Sequence, residues 1–153
     1  MITEDYVSFE TAKLLKEKGF DEPVQVYVKT YNYPSDTVIQ NIKKITGKNM
    51  EQIEVHSLFN SEDEPFFNSV EGKDKNLFAY PTLQMVMKWL REEYSLEIYP
   101  YHNNPTIYNP KWWFEIIKYP NSIAEYESGK DEEFDTYEEA CEAAIKYCLE
   151  NLI

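Results

Sequence analysis

From Val7 to Phe20 the apolar positions recur with a helical period. Phe9, Ala12 and Leu15, with Leu14 beside them, form one stripe, and Lys13, Lys16, Glu17 and Lys18 face the other way. Both ends carry stop signals. Ser8 is placed to cap the first turn, Val7 and Ala12 occupy the two staple positions, and Gly19 follows as the left-handed terminator. Leu15 and Phe20 then fall where a Schellman motif makes its apolar contact. After Pro23 the period changes to two. Val24 to Lys29 alternates apolar with polar and is rich in β-branched residues, which predicts a strand that Pro34 ends.

Ser35 or Asp36 opens a second helix over Thr37 to Thr46, with Val38, Ile39, Ile42 and Ile45 as its stripe and Gly47 as its stop. Gln52 to Leu58 is expected as a strand, with Ile53 and Val55 on one face. Asn60 to Lys75 is polar, acidic and broken by Pro65 and Gly72, so a surface loop is predicted, with Phe66 and Phe67 tucked onto the core. Pro81 takes the first position of a helix that runs to about Tyr94. Its apolar residues Leu83, Val86, Met87, Leu90 and Tyr94, widened by Met85 and Trp89, suit packing on a sheet.

Leu96 to Tyr101 and Lys111 to Tyr119 have strand patterns, joined by a loop containing Asn103, Asn104, Pro105 and Pro110, and Ile123 to Glu127 pairs back across a turn at Pro120 and Asn121. The last helix has two candidate capping boxes, Asp135 with Glu138 or Thr136 with Glu139. Tyr137, Cys141, Ala144, Cys148 and Leu152 lie along its apolar side. Strands mixed with amphipathic helices, without regular βαβ alternation, predict one α+β domain over residues 1–153: two layers, with a mainly antiparallel sheet packed against helices.

Three of these helical segments, Ile2 to Phe20, Pro81 to Glu92 and Asp135 to Ile153, resemble a family of small uncharacterised acidic proteins similar to products of prophages and other mobile elements of anaerobic gut bacteria. The resemblance covers about a third of the chain and implies no activity. Tyr31 to Ala79 departs from it.

Charge sharpens the picture. Twenty-eight Asp and Glu against 15 basic residues give a net of -13, with Arg91 the single arginine. Such a surface repels phosphate backbones and anionic headgroups, so neither nucleic acid nor membrane is an expected direct partner. Met1 to Glu10 has no basic segment followed by an apolar run, and no stretch approaches membrane-spanning length, which predicts a cytoplasmic location. Thirteen Tyr, 8 Phe and 3 Trp supply a core and leave rings for a binding surface.

Catalytic patterns are missing. The four glycines are isolated, so no phosphate-cradling loop exists, and neither His56 nor His102 has the partners of a zinc site. Cys141 and Cys148 lie about 10 Å apart along one helix, too far for a disulfide. Both are expected to pack as inert thiols, and no cofactor or metal is predicted. Glu125, Glu127, Asp131, Glu132, Glu133, Asp135, Glu138, Glu139 and Glu142 crowd into eighteen residues. Helix-dipole compensation explains part of this; a docking face for a basic partner, or a divalent cation, is the functional alternative. Trp112 to Tyr119 is apolar on both sides apart from Glu115 and Lys118. A central strand covered on both faces explains that pattern, as does an aromatic interface, self-association included.

The leading expectation is a non-enzymatic accessory protein of a mobile element that binds another protein, basic in character, through Glu125, Glu127, Asp131, Glu132, Glu133, Trp112 and Trp113. The alternatives are a small enzyme with a site near His102 and Glu115, and a DNA mimic that occupies a basic host protein.

Overall fold

The computed structural model describes residues 4–69, 75–102, 110–129 and 132–153. Its elements run α1 (Phe9–Glu17), β1 (Val26–Tyr33), α2 (Asp36–Thr46), β2 (Ile53–Asn60), β3 (Leu77–Ala79), α3 (Leu83–Tyr94), β4 (Leu96–His102), β5 (Trp112–Lys118), β6 (Ile123–Glu127) and α4 (Tyr137–Tyr147). A π-helical turn, Cys148–Leu152, extends α4. The class is α+β, and all strand pairing is antiparallel. The strands divide between two three-stranded sheets, ordered β2-β1-β3 and β4-β5-β6. Each sheet closes among strands near in sequence, the route with the lowest loop-closure cost, and α3 separates them along the chain.

Local chemistry accounts for the helix ends. The Ser8 hydroxyl accepts the Thr11 N–H and starts α1. At the other end Gly19 takes φ +84°, and the Phe20 and Gly19 N–H groups donate to the Leu15 and Lys16 carbonyls at 2.9 and 3.2 Å, a complete Schellman motif. Leu15 and Phe20 are both fully buried. In α3 the cap is Thr82, whose hydroxyl accepts the Met85 N–H at 3.3 Å. Pro81 therefore stands outside the helix, since a threonine oxygen satisfies an orphan donor and a proline cannot. Of the two candidate boxes on α4, Thr136 and Glu139 form the real one, with the Glu139 carboxylate reaching back to the Thr136 and Asp135 N–H groups.

One continuous core joins the elements, from Val24, Phe66 and Ala79 beside the first sheet to Phe114 and Ile116 of the second. The helices α3 and α4 cover one face of β4 and β5, and α1 packs on β3 and α4. The strand β3, too short to leave a periodic signal, is held by Asn68. This buried side chain donates to the Phe20 carbonyl at 2.8 Å and accepts the Ala79 N–H at 2.9 Å. Phe66 tucks inward as expected and stacks on Tyr27 at 4.8 Å.

The helix α2 forms where predicted, yet none of its residues is buried. Of its stripe, Ile39 and Ile42 are half-buried, while Val38 is 44% and Ile45 84% exposed. Among the described residues β2 pairs only with β1, at the edge of its sheet.

Candidate functional site

The alternation of β5 decides which side chains meet the core. Phe114 and Ile116 are fully buried beneath α3 and α4, so Trp113, Glu115 and Ile117 project to the opposite face. Residues directly across a ladder share a face. Tyr101 opposes Trp113, Tyr99 opposes Glu115, and Glu97 opposes Ile117, while Glu127 opposes Glu115 from the other side. No described helix or strand covers these side chains. They make an open face of tyrosine, tryptophan and glutamate on an otherwise packed sheet.

Hydrogen bonds fix the acids against the rings. The Tyr101 hydroxyl donates to Glu127 and the Trp113 indole N–H donates to Glu133 at 3.2 Å, with the Tyr101 and Trp113 rings edge to face at 6.3 Å. The Tyr99 and Tyr119 hydroxyls share a hydrogen bond of 2.7 Å. Arg91 reaches Glu97 at 3.1 Å along one rim. Burial pushes the Tyr101 phenol up to about 12, helped by its bond to Glu127 and the charges of Glu127 and Glu115. Glu115 and Glu127 stand directly opposite each other, and among the described residues neither belongs to an ion pair. Like charges so placed are mutually destabilising.

The residues expected to form a partner surface divide. Trp113, Glu127 and Glu133 come together on the open face. Trp112 does not: it lies on the core side, against His102 at 3.9 Å and Tyr137 at 5.3 Å. Glu125 falls at a register shift, between Tyr126 opposite Ile116 and Ala124 opposite Ile117, and is exposed without a cross-strand partner. Glu132 accepts from the Tyr126 hydroxyl. Asp131 lies outside the described residues, as do Gly72, Asn103, Asn104 and Pro105. Reading β5 alone missed Tyr99 and Tyr101. The spacing of Glu97, Tyr99 and Tyr101 at every second residue of β4 was the available signal.

The two residues of the enzyme alternative are not brought together. His102 opposes Trp112 and Glu115 opposes Tyr99, so they occupy opposite faces of the sheet. His56 stacks on Phe9 at 4.6 Å, and both cysteines are buried, Cys141 on α4 and Cys148 at the start of its π-helical extension. Among the described residues no three of His, Cys, Asp and Glu are grouped to hold a metal ion, and no helix is long and apolar enough to cross a membrane. No protein-family model, curated protein or solved structure matches this chain.

Proposed function

We propose that the chain is a non-enzymatic binding protein, an accessory product of a mobile element, that engages a basic protein through the open face of the β4-β5-β6 sheet. One observation carries the reading: Glu115 and Glu127, neither in an ion pair among the described residues, oppose each other beside Trp113, Tyr99 and Tyr101. A cationic side chain entering there relieves the repulsion, and the rings supply the apolar contact that interfaces concentrate at their centres. Nucleic-acid mimicry draws less support, because these carboxylates alternate with aromatic rings instead of forming a ridge. The test is capture from the native cell with the wild-type chain and with a Glu115→Lys, Glu127→Lys variant. Basic proteins retained by the wild type, lost with the variant and eluted by moderate salt support the proposal. Equal retention by both, or retention of no basic protein, contradicts it.

Self-association is a second reading, favoured by a separate observation: α2 buries none of its residues, and β2 lies at the edge of its sheet. Residues 26–60 carry four lysines against three acids, so this region escapes the repulsion that a net of -13 imposes elsewhere. Sedimentation should show a dimer that Ile45→Glu dissociates. A wild-type monomer at high concentration removes this reading.

A further inference from the structure

A groove of about 580 Å³ runs between the chain at Asp5–Ser8, the start of α3 and α4. Its apolar lining comes from Val7, Leu83, Phe134 and Ala143, and the rings of Tyr6 and Tyr80 stack within it at 5.6 Å, nearly parallel. Glu138 and Glu142 of α4 line the same groove. The groove is shallow and open to solvent on one side, so a ligand there is held by one face.

Glu142 is unusual among the acids. Its Oε1 accepts the Ser8 N–H at 3.0 Å and the Thr11 hydroxyl at 2.6 Å, tying α4 to the first turn of α1. Its Oε2 is buried and accepts from no donor, the one described side-chain atom in that condition. Buried acceptors are normally satisfied, and a carboxylate more so than most. Among the described residues no ion pair to it forms either. Lys146, which also lines the groove one turn along α4, is engaged with Glu10 at 3.4 Å and Glu150 at 3.9 Å. The effect of this charge is felt locally: burial first, and then Glu142, raise the Tyr80 phenol above its ordinary value. Glu139 lines the groove but is spent on the α4 capping box.

We infer that this groove binds a small organic cation, a primary or quaternary ammonium carrying an aromatic or apolar body. The body lies against Val7, Leu83 and Phe134, and the ammonium sits by the Tyr6–Tyr80 stack in the field of Glu142 and Glu138. Aromatic faces and an uncompensated carboxylate attract the same ion by independent terms, and both are stronger where water is partly excluded. Anions are rejected and neutral analogues lose the charge-dependent share of the binding.

The experiment is titration of the 15N-labelled full chain with phenethylammonium and benzyltrimethylammonium, and with neutral 2-phenylethanol as the control. Saturable shifts at Tyr6, Val7, Leu83 and Ala143 are expected, with 2-phenylethanol about tenfold weaker. Glu142→Gln keeps an oxygen for Ser8 and Thr11 while removing the charge, and should weaken ammonium binding by a similar factor. Should that variant not fold, the neutral control and Tyr6→Ala, at an exposed position, decide. No saturable shift up to the order of 10 mM, equal binding of the neutral analogue, unchanged affinity in Glu142→Gln, or binding of a basic peptide without either amine would overturn the inference. Failure of the sheet-face capture leaves this result unaffected, since the two sites share no residue.

Discussion

At the residue scale, burial sets the chemistry of the thiols and phenols. Cys141 and Cys148 lie wholly inside α4's packed side, and burial pushes their thiols from 9.0 up to about 11 and about 12. The thiolate is the reactive form, so both should resist a disulfide reagent in the folded chain at pH 8 and react once it is denatured. Rapid labelling of either in the folded state would contradict the packing. The same shifts have a consequence for stability. These acids hold their protons more tightly when folded, so their stabilisation is complete below pH 9 and is lost as pH rises towards 11–12. Tyr101 and Tyr126, each raised to about 12, act in the same direction above pH 10. Urea midpoints measured at pH 7, 9 and 10.5 should fall over the last interval; a constant or rising midpoint would contradict the assignment.

At the scale of elements, the helices that pack and the helix that does not make opposite predictions. Leu15→Ala empties a fully buried site between α1 and its neighbours and should cost about 2–5 kcal/mol. Ile45→Ala on α2, at a side chain 84% exposed, should change stability by no more than about 0.5 kcal/mol in the monomer. Denaturant melts of the two variants check the contrast. Asn68→Ala strips the partner from the buried Ala79 N–H and should cost about 1–3 kcal/mol, loosening β3 first in amide exchange. What the sequence made legible follows from the range of the forces. The ends of α1, and the strand Ile123–Glu127 after its Pro120 turn, are written in adjacent residues, and both appear where expected. The division into two sheets, the Asn68 clamp and the bond from Thr11 to Glu142 join residues 11 to 131 positions apart, and no local period encodes them. The α2 stripe was legible as a pattern, but a period cannot say whether anything covers it.

At the scale of the whole molecule, it is charge that is segregated. Acids gather beside the rings on the open face of the second sheet, whereas residues 26–60 are nearly neutral and expose aliphatic and aromatic side chains, Ile45, Ile53, Tyr31, Tyr33 and Phe59 among them. Of the seven residues expected to form a partner surface, Trp113, Glu127 and Glu133 meet, while Trp112 and Glu125 were set apart by strand alternation and a bulge. On the proposed function, long-range negative potential would steer a basic partner towards the molecule, and the opposed Glu115 and Glu127 would give it a place to dock. The most direct measurement is amide hydrogen exchange of the chain alone and in complex with a captured basic protein. Slowed exchange concentrated at Tyr99–Tyr101 and Trp113–Glu115 is the predicted result. Protection confined to α2, β2 or the α4 groove, with β4 and β5 unchanged, would contradict the open sheet face as the binding surface.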